Sequence, residues 1–279
     1  MLRSPAPRTP VGALVKVGLN IPPFGELADP RALADLATEA EEAGWNGFFV
    51  WDHVLYRRPV AAVTDPWIAL AAAAGATSTI RIGQMVTPLA RRRPQIVARQ
   101  AAALDLLTGG RFVLGVGLGL DDSGGEFVRF DEETDVRRRA EMYDEALELV
   151  EALLSGARVD HKGRFFTAAD VQFLPAPRKV PIWVAARWPN RRPIQRALRR
   201  DGLFVIDIAP SELGAVSELI NQRAATETFE LIVQSADPRH VEEWKTGGAT
   251  WWLAAFSPFD VSVEGVRSMI RRRVEIGSA

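Results

Sequence analysis

Apolar residues recur along the chain in short runs that carry β-branched or aromatic side chains and end at turn residues, the pattern of parallel strands buried on both faces. Eight such runs are present: Val15 to Ile21, Gly47 to Trp51, Ile80 to Val86, Phe112 to Gly117, Ile182 to Ala186, Leu203 to Ile208, Phe229 to Gln234 and Thr250 to Ala255. Segments of helical periodicity lie between them. The first has Asp29 as N-cap, Pro30 at N1, Leu33, Leu36, Ala37 and Ala40 on one face, and Gly44 as a stop. The second repeats the device with Asp65 and Pro66 and runs through alanines to Ser78, the third spans Pro94 to the pair Gly109-Gly110, and the fourth runs from Val136 to Leu154. Weaker helices follow at Arg191 to Arg200, Ser211 to Ala225 and Pro238 to Lys245, and the last, Val263 to Arg273, aligns Val263, Val266, Ile270 and Val274.

Strand and helix thus alternate eight times, which implies a parallel sheet with right-handed crossovers. The 279 residues are close to the usual length of a (β/α)8 barrel. An open doubly wound sheet is the competing architecture, but no G-x-G-x-x-G follows the first strand. The expected organisation is a TIM barrel in one domain over residues 15–279, preceded by a flexible tail, residues 1–14, that contains Pro5, Pro7 and Pro10. Val159 to Val180 breaks the rhythm and is too long for a plain loop; a hairpin or excursion over one mouth of the barrel is expected there.

Composition narrows the chemistry. There are no cysteines, so disulfides, thiolate catalysis and zinc–thiolate sites are excluded. The three histidines, His53, His161 and His240, are far apart and in no metal-ligand spacing, so no metal is expected. A net charge of −1 gives no long-range attraction for nucleic acid or an acidic membrane. The N-terminus lacks the apolar core of a secretory signal, and the longest apolar stretch, Trp67 to Ala74, is far short of a membrane span. A soluble, cytoplasmic protein is expected.

In a barrel, chemistry sits at the C-terminal ends of strands. The second strand ends Trp51-Asp52-His53. Because successive strand side chains face opposite ways, Asp52 and His53 should not pair with each other; one faces the mouth and the other the packing. His53 is either a proton donor or acceptor, or a histidine tied to a loop carbonyl. Arg91-Arg92-Arg93, after the third strand, read better as a solvated loop than as a phosphate site. Gly115, Gly117 and Gly119 would let a ligand approach the fourth strand closely. Asp121, Asp122 and Glu126 beyond them read as a polar loop rather than as acids. At the end of the fifth strand, Arg187 and the helix start that follows are either a phosphate cradle or an ordinary βα loop. Of the tryptophans, Trp51 and Trp188 stand at strand ends and are the candidates for a pocket wall.

Taken together, these positions resemble the luciferase-like monooxygenase family of flavin-dependent oxidoreductases. The resemblance runs from about Val15 to Ile208. Three blocks carry it: Pro94 to Gly119 (PQIVARQAAALDLLTGGRFVLGVGLG), Arg137 to Gly163 with YDEALELVEALLSG and then VDHKGRFF, and Pro181 to Gly202 (PIWVAARWPNRRPIQRALRRDG). It implies an enzyme that binds flavin mononucleotide (FMN) or the deazaflavin F420 at the C-terminal mouth. His53 would lie near the reactive ring edge as the catalytic residue. A non-prolyl cis peptide near Met85–Val86, or at Gln84–Met85, would stand behind the ring. Gly117 and Gly119 would lie beside the cofactor tail, and Ala186, Arg187 and Trp188 would hold its phosphate. Two departures stand out: Ala186 occupies a place that is glycine in many relatives, and Leu120 stands where F420-dependent sugar dehydrogenase-like members often carry a glutamate.

The leading expectation is therefore a monooxygenase that uses reduced FMN and O2 on a small organic substrate, with the reduced flavin delivered by a separate reductase. The alternative is an F420-dependent dehydrogenase or reductase in which His53 takes a substrate hydroxyl proton during hydride transfer. A flavin-binding barrel without turnover is the third reading. A homodimer through the second and third helices is expected. The substrate itself is not legible.

Overall fold

The computed structural model describes residues 15–120, 124–223 and 229–273. Residues 1–14, Asp121, Asp122, Ala225 and Val274 lie outside the described residues, and with them the expected tail. Eight parallel strands close into a barrel in the order β1 (Lys16–Ile21), β2 (Gly47–Val50), β3 (Arg81–Pro88), β4 (Phe112–Gly117), β7 (Ile182–Arg187), β8 (Gly202–Ile206), β9 (Glu230–Ser235) and β10 (Trp251–Ala255), which pairs back to β1. Around it lie α1 (Pro30–Glu42), α2 (Pro66–Ala76), α3 (Pro94–Thr108), α4 (Val136–Leu154), α5 (Arg191–Ala197), α6 (Leu213–Arg223), α7 (Val241–Thr246) and α8 (Val263–Arg271). The fold is the expected TIM barrel. Among the described residues no helix is long and apolar enough to cross a membrane.

The helix starts follow from their caps. Asp29 Oδ1 accepts from Arg31 N–H, Asp65 Oδ1 from the Trp67 and Ile68 amides, and Asp135 Oδ1 from Arg138 N–H, which satisfies donors that the first turn leaves free. Gly109 ends α3 in the left-handed region. α5 and α7 are shorter than their periodicity suggests, and the residues before Val241 form a separate 3-10 turn.

Two apolar layers hold the barrel. One lies between strands and helices. The other fills the interior, where Phe49, Trp183 and Trp251 pack ring against ring at centroid distances of 5.3–5.9 Å, with Met85, Phe204 and Leu253 around them. This inner plug fills the barrel interior.

The irregular stretch is a two-stranded antiparallel hairpin, β5 (Arg158–Lys162) and β6 (Thr167–Gln172). It lies along the outside of α3 and α4 rather than over a mouth. The cause is Glu145 on α4, whose carboxylate accepts the backbone amides of Arg164, Phe165 and Phe166 at the hairpin tip. At the other end, Arg99 of α3 stacks over Phe173, 3.9 Å from the ring centroid, and donates to the Leu174 carbonyl.

Candidate active site

A cavity of about 810 Å³ opens at the C-terminal mouth. His53, Trp51, Met85, Val86, Gly117, Gly119, Ala186 and Arg187 line it; Trp188 does not.

The strand alternation persists past the end of β2. Phe49 is in the inner plug, Trp51 and His53 line the cavity, and Asp52, which also borders it, has its side chain fully buried. Asp52 accepts from Thr87 Oγ1 at 2.9 Å and pairs with Arg92 Nη2 at 2.5 Å. His53 turns to Glu126, whose Oε2 lies 2.7 Å from its Nδ1. Glu126 Oε1 also accepts the Val54 amide at 2.6 Å and forms an ion pair with Arg91 Nη1 at 2.5 Å. Arg91 donates through Nη2 to the Asp52 carbonyl and side chain, so it bridges both carboxylates. The polar-loop reading of Glu126 and the solvated-loop reading of Arg91 and Arg92 are therefore corrected: the Glu126 side chain is 2% exposed, Arg91 5% and Arg92 17%. Burial tends to raise the Glu126 carboxyl, but the hydrogen bond and charge of His53, the charge of Arg91 and the Val54 amide outweigh it and hold the group below the ordinary carboxylate range. With Nδ1 engaged, Nε2 is the ring nitrogen left to exchange a proton with a ligand.

An aromatic wall surrounds the imidazole. Phe24 and Tyr56 meet it edge-on at 5.8 and 5.1 Å, and Trp51 lies tilted to it at 6.0 Å. Apolar neighbours of this kind strengthen charge interactions at the ring they surround.

The Met85–Val86 peptide is cis, at the point where the β3–β4 register shifts. The glycines opposite serve the protein's own packing. A Cβ on Gly117 would lie 2.5 Å from Val86 Cγ2, and one on Gly119, whose φ is +74°, would lie 2.8 Å from both Phe127 and Pro88. At the end of β7, Arg187 is ion-paired with Asp207, and Trp188 donates its indole N–H to Glu212 at 2.9 Å.

The residues present fit a flavin-sized cofactor with an anionic tail. The hydroxyl of buried Tyr143, Asn20 Oδ1 and the Trp51 indole N–H have no protein partner, and all three residues line the cavity. Arg137, Arg191, Arg192 and Arg196 line it too, against two carboxylates among the described residues, Asp52 and Glu126, that already serve His53 and the arginines of the β3 end.

The family model of the luciferase-like monooxygenases matches residues 11–235. The chain belongs to this family. This luciferase-like protein is 35% identical over 171 residues to an F420-dependent glucose-6-phosphate dehydrogenase of Kineococcus radiotolerans, a match covering 58% of the chain and 48% of the relative. It is 33% identical over 147 residues, 51% of the chain and 38% of the relative, to a 4-hydroxyprotoasukamycin monooxygenase of Streptomyces nodosus subsp. asukaensis. The luciferase-like chain spans about half the length of the first of these relatives. In fold it superposes on the coenzyme F420-dependent tetrahydromethanopterin reductase of Methanopyrus kandleri with a TM-score of 0.75 at 16% identity, covering 95% of the chain and all of that structure.

Proposed function

We propose that the chain is an oxidoreductase that exchanges a hydride between F420 and a small organic alcohol or carbonyl compound, with His53 as the proton-transfer residue. The observation that carries this reading is the His53–Glu126 pair at the cavity wall. A histidine whose second nitrogen is held by a buried carboxylate is the arrangement that fixes a tautomer and stabilises the positive charge arriving with a proton. In the oxidising direction the substrate O–H proton goes to His53 Nε2, the carbonyl double bond forms, and the hydride leaves the same carbon. When bound, the deazaflavin supplies the hydride-accepting ring carbon. Glu126 keeps Nδ1–H oriented, Arg91 keeps Glu126 ionised, and Phe24, Trp51 and Tyr56 exclude water. The F420 dependence of the Kineococcus relative supports the cofactor assignment. Glu126 also answers the departure at Leu120, because it brings a carboxylate to the histidine from farther along the same loop.

A second reading is an FMN monooxygenase that receives reduced flavin from a separate reductase and uses O2. The Streptomyces relative and the water-excluding aromatic wall favour it. His53 would then hydrogen-bond the activated oxygen. Met85 and Val86, Gly117 and Gly119, and Ala186 and Arg187 contact the cofactor in either reading, whereas Trp188 acts by fixing the β7 loop.

Titration with F420, FMN and reduced FMN, followed by fluorescence, tests the assignment. Tight binding of F420, and loss of its absorbance when alcohols are added, is the expected result. Binding of reduced FMN alone, with O2 consumed on an organic substrate, would overturn hydride transfer in favour of the second reading.

A further inference from the structure

Strand alternation brings two amide side chains into the cavity just above the inner plug. On β9, Ile232 belongs to the plug, and Gln234, two residues on, faces the same way. On β1, Gly18 lies against the plug residues Leu253 and Phe49, and Asn20 follows at the same spacing. Both amides line the cavity, and they meet across β10, where Asn20 Nδ2 donates to Gln234 Oε1 at 2.8 Å. Asn20 is 1% exposed, yet its Oδ1 has no protein partner. In the ring of strands β9 stands opposite β3, so Gln234 faces the side that carries the cis Met85–Val86 peptide.

A side-chain amide has one accepting oxygen and one donating NH2. A single bond between two amides uses one of each, whichever way the pair is turned, and leaves one oxygen and one NH2 over. Here the oxygen left over is Asn20 Oδ1, and the Gln234 NH2 donates to no protein acceptor among the described residues. The charged residues of β1, β9 and β10, Lys16 and Glu230, stand at the far, N-terminal ends of their strands and pair with each other. The strand wall around the two amides is therefore neutral. Trp51, on the neighbouring β2 and beside the His53 ring, adds a second buried group without a protein partner, its indole N–H. A carboxylate has no donor for Asn20 Oδ1, and an ether or a ketone would satisfy only the Gln234 NH2. An apolar chain would satisfy neither and leave a buried acceptor bare, which is costly. The smallest group that satisfies both is a hydroxyl.

We propose that the Asn20–Gln234 pair is a specificity site for the substrate. It holds a second hydroxyl, which donates to Asn20 Oδ1 and accepts from Gln234 Nε2, so that the substrate is a diol or polyol rather than a simple alcohol. The mutual hydrogen bond fixes both amides before the substrate arrives. The proposal rests on the reading that an alcohol is oxidised in this cavity beside His53.

The test measures F420 reduction by 2-butanol, 2,3-butanediol and 1,3-butanediol on the wild type and on the double variant Asn20→Leu/Gln234→Met, which roughly keeps the volumes and removes both amides. The quantity read is the ratio of kcat/KM between alcohols, in which any change common to all three cancels. The wild type should use at least one diol about tenfold better than 2-butanol, the worth of hydrogen bonds made to a pre-set pair. The double variant should bring that ratio close to one. Its ligand-free form should unfold thermally no lower than the wild type, because replacing both members of a buried polar pair leaves neither unmatched. Equal use of all three alcohols by the wild type, a preference that the double variant keeps, or a loss that falls on all three alike would overturn the specificity site while leaving hydride transfer intact. If the double variant does not fold, the wild-type ratio decides. If no alcohol reduces F420, the alcohol-oxidation reading fails, and thermal stabilisation of the protein by the same compounds is read instead. Stabilisation by a diol beyond that by 2-butanol at equal concentration, absent in the double variant, upholds the site, and equal stabilisation overturns it.

Discussion

Glu126 stands 2.7 Å from His53 Nδ1 although 73 residues separate the two in the chain. The pair joins the end of β2 to the loop after β4. If it orients the imidazole for proton transfer, Glu126→Gln should lower kcat by about 10²-fold, at the lower end of what positioned general acid–base groups contribute. KM and cofactor affinity should change little. His53→Ala should lose at least as much, and the double variant no more than the worse single, because the two act as one unit. Steady-state kinetics with separately measured cofactor binding checks this; an additive double variant would show that Glu126 acts elsewhere.

Arg91 compensates two buried carboxylates at once. Replacing it by Met keeps the bulk and removes the charge, which leaves Arg92 as the basic partner of Asp52 and His53 as that of Glu126 among the described residues. Breaking a buried pair from one side costs about 3–5 kcal/mol, mostly through the charge left behind. Urea unfolding should show that loss. Arg91→Met combined with Glu126→Gln should recover part of it, and the absence of recovery would mean that Arg91 stabilises chiefly through Asp52.

The pattern of alternating runs and capped segments shows the barrel because each strand–helix unit is specified locally: β-branched runs between turns, Asp-Pro helix starts, glycine stops. It shows less of the site. His53, Trp51 and the cavity-lining glycines follow from the rule that strand ends carry chemistry. Glu126 does not, because its role depends on the path of the β4–α4 loop, and its only sequence signal is an acid flanked by Gly125 and Phe127, an apolar residue that is itself buried. Arg91 and Arg92 mislead for a related reason: a run of arginines reads as solvated unless buried acids await it, and Asp52 and Glu126 are supplied by other loops. Arg187 and Trp188 follow the opposite course, since their partners Asp207 and Glu212 come from the next βα unit.

Gly117 makes room for Val86 next to the cis peptide. A methyl group at 117 would sit 2.5 Å from Val86 Cγ2, so one of the two must shift. Gly117→Ala should destabilise by about 1–3 kcal/mol, the usual range for overpacking, and weaken cofactor binding as the cavity floor shifts. Val86→Ala in the same chain should restore most of both. Thermal unfolding and cofactor titration of the three variants check the coupling; a double variant no better than Gly117→Ala would place the strain in the backbone instead.

Glu41 offers a pH test away from the site. Its carboxylate accepts the amides of Ser78, Thr79 and Ile80 and so ties α1 to the turn before β3. Partial burial acts to raise this carboxyl, but these hydrogen bonds, Ile80 foremost, prevail and bring it down from 4.5 to about 2. A carboxyl lowered on folding contributes stability that is fully present above its unfolded value and is lost as pH falls through the folded one. The wild type should therefore exceed Glu41→Gln by about 1 kcal/mol at pH 7, a figure reduced for solvent screening at a largely exposed group. The difference should shrink between pH 4.5 and about 2. Urea unfolding across that range checks it, and a difference independent of pH would assign the effect to lost hydrogen bonds rather than to charge.

The expected homodimer has a specific surface to test. Ile68 on α2 and Ile96 and Leu107 on α3 are large apolar side chains more than half exposed, on two helices that neighbour each other around the barrel. Where exposed apolar side chains join into one patch, they mark association sites. We propose that they meet their counterparts in a second copy. Leu107→Glu would place a charge in that contact and should convert a dimer to a monomer in sedimentation equilibrium, with the barrel's circular dichroism unchanged. A wild type that sediments as a monomer at every concentration, or a Leu107→Glu variant that remains a dimer, would remove α2 and α3 as the interface.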